Sequence, residues 1–321
     1  MKVAVVGPGA VGSYYGAKLH RAGHEVHFLL RTDYEQVRRN GVKIISPEGN
    51  FNARPKCARE PEEIGRCDWV IVALKTTANR QFAKLLPPLA GAETALLTLQ
   101  NGLGNEEALA ALFPEEQVMG GLCFVCLNRV APGVIQHGAY GKIELGEYGR
   151  WPEPRTHDLA SAFRNAGVPC GVRDNLEKAH WEKLVWNIPF NGLSVASCAG
   201  IKAVLSGVPS GDGAACLTTD KLLEDERWFR LVRLLMMEVI ETANACGCQL
   251  EANLAEKQIE KTRGMGAYQP STLVDYLRGF EIELESLFLE PLRRALARKI
   301  EVPCLEALGK ILTALNPVLH S

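Results

Sequence analysis

Continuous apolar runs of strand length dominate the first hundred residues. "KVAVVG" (2–7), "EVHFLLR" (25–31), "WVIVALK" (69–75) and "TALLTLQNG" (94–102) show little polar alternation, the pattern of parallel strands buried on both faces. Between the first two, "AVGSYYGAKLHRAGH" predicts a helix closing near Gly23, so the chain opens in β-α-β alternation. From about 118 to 147 the pattern changes to adjacent strands separated by glycine turns, with "GVIQHG" and "GKIELGE" as two of them, and "VPCGVR" (168–173) adds a last strand.

After Asp174 the periodicity becomes helical. "DNLEKAHWEKLVWN" reads as a helix start, with Asp174 as N-cap and Glu177 three residues on. A long amphipathic helix is predicted over 222–247, ending at Gly247, and further helices over 271–300. The Gly/Ser/Pro/Asp stretch 206–220 predicts an exposed loop. Within "HWEKLVWNIPFNGLS", Lys183, Asn187 and Asn191 recur at i, i+4 and i+8, which places them on one helix face. Their neighbours Leu184, Val185, Trp186, Ile188 and Phe190 are packing residues. Such a polar stripe is either a satisfied buried network or the wall of a site, and Pro189 predicts that the helix is broken there.

Length and composition narrow the class. The chain has 321 residues, 47% hydrophobic, enough to fill two cores. A formal net charge of −1 excludes the basic footprint of a nucleic-acid binder or an anionic membrane surface. The apolar stretch 118–127 falls far short of the ~20 residues a membrane helix needs. The first strand starts at Lys2 and leaves no room for a targeting segment, so a cytoplasmic protein is expected. Ten dispersed cysteines fit reduced thiols. The C-x-x-C of Cys123 and Cys126 sits in a β-like run, without a second pair to complete a zinc set; buried small side chains are the better reading, and no metal is expected.

"VVGPGAVGSYYG" sets Gly7, Gly9 and Gly12 in G-x-G-x-x-G register, after a strand and opening a helix. In that context the glycines serve the tight turn, the approach of a pyrophosphate to the backbone, and close helix–strand packing. Pro8, Ala10 and Val11 complete the loop. The motif makes 1–173 a dinucleotide-binding domain of Rossmann type. The expected fold class is therefore α/β: an N-terminal Rossmann-type doubly wound sheet followed by an all-helical C-terminal domain, 174–321. At the end of the second strand Arg31 suits a 2′-phosphate, where a carboxylate would repel it; NADP(H) is favoured, although Asp33, two residues on, offers an acceptor for an unphosphorylated ribose. Lys75 and Asn101 end the next two strands, where ligands of open α/β sheets bind.

These residues together resemble the ketopantoate reductase (2-dehydropantoate 2-reductase) family over nearly the whole chain. The resemblance rests on "GPGAVG", the "LK" ending at Lys75, "QNGLGNEEAL", "WEKLVWNIPFNGL" and "PSTLVDYLRGFEIELE". It implies Lys183 as catalytic proton donor, Asn187 and Asn191 as substrate-binding residues, Asn101 as a contact to cofactor and substrate, and Ser271 as a further substrate contact. Glu283 matches the family glutamate, orienting the substrate hydroxyl, the lysine or the nicotinamide ribose. On a helix, Glu281 and Glu285 would lie nearly opposite Glu283. The implied reaction is NADPH-dependent reduction of ketopantoate to pantoate in pantothenate biosynthesis. Ile282, Phe288 and Leu289 depart from the family pattern and suggest a more apolar pocket, hence a second reading as a reductase of another 2-oxo acid. A third, a non-catalytic NADPH sensor, is disfavoured by retention of Lys183 and Glu283. Bland roles stand beside the sharp ones: a snorkelling Lys183, an inter-helix amide network at Asn187 and Asn191, and a helix cap at Ser271. The expected partner is a small-molecule 2-oxo acid, without nucleic acid or membrane; a monomer or homodimer is compatible.

Overall fold

Val3 to Val6 have no solvent-accessible surface, because the strand they form, β1 (Lys2–Val6), lies in the middle of a ten-stranded sheet with neighbours on both edges. The computed structural model describes residues 1–209 and 213–317. Around β1 lie β2 (Glu25–Leu29), β5 (Lys56–Ala58), β6 (Trp69–Val72), β7 (Ala95–Thr98) and β8 (Val118–Ala131). Their spatial order is β5-β2-β1-β6-β7-β8, every pair parallel. In chain order this is 3-2-1-4-5-6, the doubly wound dinucleotide arrangement. Beyond β8 the sheet becomes mixed: β9 (Val134–Glu147) pairs antiparallel, β3 (Val42–Ile45) and β10 (Cys170–Val172) flank β9 in parallel, and β4 (Phe51–Ala53) closes the edge. Helices α1 (Ala10–Arg21), α2 (Tyr34–Asn40), α3 (Phe82–Leu85), α4 (Asn105–Ala110) and α5 (Pro154–Asn165) complete this part.

From Leu176 on, the described residues form helices and no strands. They are α6 (Leu176–Ala196), α7 (Ile201–Ser206), α8 (Thr219–Glu224), α9 (Glu226–Ala245), α10 (Leu254–Arg263), α11 (Ser271–Leu277), α12 (Glu290–Ala297) and α13 (Pro303–Leu315). The chain divides into two compact units, Met1–Asn101 with Asn105–Leu176, and Gly102–Gly104 with the chain from Glu177 on. The α/β expectation, a Rossmann-type sheet followed by a helical region, describes the fold.

Several local expectations need correction. "GVIQHG" and "GKIELGE" are one strand, β9; its register against β8 skips Gly138 and Gly141, so the glycines are bulges rather than turns. The short strands β3, β4 and β5 were not expected. Helix α6 starts at Leu176, which leaves Asn175 rather than Asp174 in the preceding position. It also runs unbroken through Pro189. A proline in a helix interior costs about 3 kcal/mol, but Leu184, Val185, Ile188, Phe190 and Leu193 are fully buried here, each worth about 1.5–3 kcal/mol, so packing outweighs the lost hydrogen bond. The single helix expected over 222–247 is two, because the Asp225 side chain accepts from the Arg227 and Trp228 amides and starts α9 anew. Of the loop expected over 206–220, residues 210–212 lie outside the described residues; 207–209 and 213–218 are neither helix nor strand.

Candidate active site

Four parallel strands of the first unit end on one row. Leu29 pairs with Val6, Val6 with Val72, and Val72 with Thr98. Gly7, Arg31, Lys75 and Asn101 follow this row by one, two, three and three residues, so the loop residues expected to meet a dinucleotide all leave the sheet at its carboxyl end. Arg31 and Lys75 are exposed.

The glycine loop has the geometry its spacing predicts. Gly7 has φ +82, and a Cβ there would lie 2.7 Å from the Leu74 backbone, so only glycine fits. A Cβ on Gly12 would meet Gly7 O at 2.9 Å and Ala73 and Val5 side-chain atoms at 3.0 Å, which fixes the close approach of α1 to the sheet. Gly9 differs: its nearest neighbour would be Gly7 O at 4.0 Å. The protein's own packing does not require glycine there, and an open cradle remains in front of the backbone. Behind Gly9, α1 begins without a side-chain cap and without an acidic residue in its first turn. Bare amides at the positive end of a helix suit a pyrophosphate, so the residues present fit a dinucleotide.

Asp33 is engaged elsewhere. Arg129 Nη1 donates to both of its carboxylate oxygens at 2.8 Å, and the Gly133 amide donates to Oδ2 at 3.3 Å. The carboxylate thus pins the β8–β9 connection, and a ribose hydroxyl would share it with these bonds. Asp33→Ala is expected to lower stability by about 1–3 kcal/mol, the worth of hydrogen bonds to a charged group, and to leave the NADPH/NADH preference unchanged. Thermal melting and cofactor titration check both, and a shift toward NADPH would return Asp33 to the ribose.

A partly buried amide network that the sequence reading missed holds the two outer loops. Gln100 Nε2 donates to Leu74 O at 3.0 Å and Asn79 Oδ1 at 2.8 Å; Asn79 Nδ2 donates to Asn105 Oδ1 at 3.0 Å, and Asn105 Nδ2 to Asn101 O at 3.0 Å. Gln100, Asn79 and Asn105 therefore position the loops that carry Lys75 and Asn101. The signal was present as isolated amides beside the strand ends in "TTAN", "LQNG" and "GNEE", but no spacing linked them.

In the helical unit, Lys183, Asn187 and Asn191 share one face of α6. Lys183 is half-buried and both asparagines are buried. Asn191 Nδ2 donates to Asn187 Oδ1 at 3.5 Å, while Asn191 Oδ1 accepts from the Thr272 amide at 3.0 Å and from Ser271 Oγ at 3.4 Å. Ser271 is the first residue of α11 and Pro270 occupies its N-cap position, so the helix is capped from a distance by Asn191 rather than by Ser271. The structure thus joins Asn187, Asn191 and Ser271 in one chain of hydrogen bonds. Asn191→Ala is expected to destabilise the protein by about 1–2 kcal/mol, the range for a lost cap, and Ser271→Ala, with its longer bond, by about 0.5 kcal/mol or less. Equal melting temperatures for Asn191→Ala and the parent protein would show that the cap contributes nothing.

Glu283 is buried, whereas Glu281 and Glu285 are exposed. The helical-wheel reason is corrected: Glu281 to Glu283 precede the helix, which begins at Leu284 and passes through a π-helical turn at Glu285–Leu289. Ser286 O in that turn accepts from the Leu103 amide at 2.9 Å. A Cβ on Gly102, at φ +87, would come within 2.5 Å of the Ser286 carbonyl carbon, so this contact also requires glycine. Ile282 and Phe288 lie in the hydrophobic core. Phe288 and Leu308 fill the space beside Gly192, where a Cβ would meet them at 2.8 and 2.6 Å. Leu289, the third departure, is half-buried against the same core.

The match to known families covers both units. Residues 3–150 match the family described as ketopantoate reductase PanE/ApbA, and residues 175–316 match its C-terminal part. The chain belongs to the ketopantoate reductase family. It is 38% identical over 317 residues to the 2-dehydropantoate 2-reductase of Nostoc sp., across 96% of this chain and 92% of the relative. The crystal structure of 2-dehydropantoate 2-reductase from Geobacter metallireducens matches with a TM-score of 0.89 at 42% identity, over 98% of this chain and 99% of that one. That of Methylococcus capsulatus gives 0.86 at 33% identity, over 98% and 96%. As a member of the ketopantoate reductase family, the chain is an oxidoreductase. No helix among the described residues is long and apolar enough to cross a membrane.

Proposed function

We propose that the protein reduces 2-dehydropantoate to pantoate, a step of pantothenate biosynthesis, with NADPH as the reductant. The observation that carries this reading is the amide stripe beside Lys183 on α6, tied through Asn191 to the start of α11 and Ser271, in a chain of the ketopantoate reductase family.

The first unit binds the dinucleotide. Gly7, Pro8, Gly9, Ala10, Val11 and Gly12 receive the pyrophosphate, Arg31 pairs with the 2′-phosphate, and Lys75 and Asn101 contact the cofactor farther along the same sheet end. When bound, NADPH supplies the hydride that the ketone carbon accepts. Lys183 Nζ, as an ammonium, stabilises the negative charge that develops on the ketone oxygen and gives that oxygen its proton.

The asparagines hold the substrate through their donors. Both Oδ1 atoms accept within the unit, which leaves Asn187 Nδ2 to donate to an oxygen of a 2-oxo acid, with Asn191 Nδ2 held beside it only by the long 3.5 Å bond. Neutral amides serve an anionic substrate without adding a counter-charge next to Lys183. Ser271 Oγ, on its long bond to Asn191, is a further donor for the substrate carboxylate. Glu283 orients the lysine or a ligand hydroxyl from its buried position.

The test is purified protein with ketopantoate and either NADPH or NADH, followed by the absorbance of the reduced nicotinamide. Fast oxidation of NADPH with slow oxidation of NADH supports the substrate and cofactor together. Folded protein that binds NADPH and turns over neither cofactor with ketopantoate would overturn the reading.

A further inference from the structure

We propose that Cys198 and Cys216 form a reversible disulfide, an oxidation site in the helical unit separate from the groups assigned to reduction.

The two residues come from segments that are already laced together. Cys198 lies in the 3-10 turn Ser197–Ala199 that follows α6, and Cys216 lies just before α8. The Ala214 amide donates to Cys198 O at 3.0 Å, and the Leu217 amide to Ser197 Oγ at 2.9 Å. Cys216 Sγ contacts Val195 O at 3.8 Å, and the two thiols are hydrogen-bonded to each other. Tyr276 Oη lies 3.6 Å from Cys198 Sγ on the other side. Both cysteines are half-buried, which leaves access for a small oxidant.

Among the described residues, Cys198 is the one cysteine whose shifted pKa moves downward. Burial pushes the Cys57, Cys67, Cys170, Cys246, Cys248 and Cys304 thiols up, so they stay protonated near neutral pH. Cys198 is lowered to about 6, chiefly by the hydrogen bond from Cys216 and, against the opposing effect of burial, by that from Tyr276. Cys216 moves in the opposite direction because it donates to Cys198. One sulfur is therefore the nucleophile and its neighbour holds a proton, the division of labour between an attacking and a resolving thiol.

With a peroxide as oxidant, the Cys198 thiolate attacks one oxygen and the O–O bond breaks. Hydroxide leaves, takes a proton from solvent, and Cys198 becomes a sulfenic acid. Cys216 Sγ then attacks that sulfur; the S–S bond forms, the S–O bond breaks, and water leaves with the Cys216 proton. Two thiols are oxidised and one peroxide is reduced to two waters. A dithiol reverses the bond by exchange.

The bridge turns the thiolate that Tyr276 now faces into a neutral disulfide sulfur, a weaker acceptor, and Tyr276 is on α11, the helix that carries Ser271 and is capped by Asn191. Resting on the proposed reductase reading, oxidation then raises KM for the 2-oxo acid several-fold and leaves NADPH affinity unchanged.

The experiment uses reduced, desalted full-length protein exposed briefly to hydrogen peroxide, digested and mapped by mass spectrometry. The expected product is a linked pair of peptides containing Cys198 and Cys216, lighter by two hydrogens and separated again by dithiothreitol. In Cys216→Ser the bridge cannot form, and dimedone is expected to trap the sulfenic acid at Cys198 ahead of every other cysteine. In Cys198→Ser the activity becomes insensitive to peroxide. Iodoacetamide labelling of Cys198 in the parent protein should rise with pH through about 6, as the thiolate forms. Natively folded protein that shows no 198–216 link, or dimedone capture no greater at Cys198 than at Cys57, would overturn the site. A link that forms with KM unchanged would overturn its tie to α11. Peptide mapping reads the site whether or not ketopantoate is a substrate, so failure of the reductase reading is seen separately.

Discussion

Replacing Lys183 with alanine is expected to lower kcat for ketopantoate reduction by about 10²–10⁴-fold, the range for a positioned general acid, with NADPH affinity nearly unchanged. The size follows from where charge develops. The ketone oxygen becomes an alkoxide as hydride arrives, and a fixed ammonium in a half-buried position stabilises that charge far better than water does. Two further substitutions separate the roles. Lys183→Met keeps the alkyl stem and its packing, and should lose as much activity as alanine. Lys183→Arg keeps a positive charge but has no proton to give near neutral pH, so it should retain substrate affinity while kcat falls. Steady-state kinetics at saturating NADPH read all three. A near-normal kcat in Lys183→Ala would remove this residue from the chemistry.

The second large effect is expected at Arg31. Arg31→Ala should weaken NADPH by about 1.5–3 kcal/mol, roughly 10- to 150-fold in Kd, and NADH by little. A guanidinium meets a dianionic phosphate through two parallel charge-assisted bonds, and NADH carries no phosphate at that carbon. Arg31 is exposed at the end of β2, and Asp33, the carboxylate that could have served NADH, is held by Arg129. Titration of both cofactors by fluorescence decides the matter. Equal losses would mean that Arg31 does not read the 2′-phosphate.

What the chain revealed before its structure depended on burial. The strands β1, β2, β6 and β7 are covered on both faces, so each appeared as an unbroken apolar run. The strand β5 is the third parallel strand in chain order, yet it lies at the sheet edge, runs from exposed Lys56 through half-buried Cys57 to buried Ala58 and follows Pro55, so nothing marked it as a strand. Gly138 and Gly141 signalled an irregularity correctly, but a glycine in a pattern does not distinguish a bulge from a turn. Pro189 gave the reverse error. Its local penalty is real, and the burial that outweighs it comes from residues far away in sequence.

The site followed the same division. Lys183, Asn187 and Asn191 were legible because one helical period places them together. The bond from Asn191 to Thr272 spans eighty-one residues, and no periodicity encodes it. Glu283 is set apart from exposed Glu281 and Glu285 by an irregular lead-in followed by a π turn, which the regular helical period used for the three glutamates does not contain. Asn79, Gln100 and Asn105 escaped notice because each touches the next only through tertiary structure.

The position of Asn191 also bears on how the molecule ages. Asn191, like Asn40 and Asn101, precedes a glycine, the pairing in which an asparagine side chain closes most readily on the next peptide nitrogen and deamidates, one source of the heat sensitivity of this residue type. Inside α6 the Gly192 nitrogen is fixed by the helix, and Asn191 Oδ1 is occupied by the start of α11. Native protein is thereby shielded at that position. Heating that opens α6 exposes the pair, and a succinimide formed there leaves α11 without its cap when the chain refolds. Loss of the α11 cap by this route is therefore set by how often α6 opens.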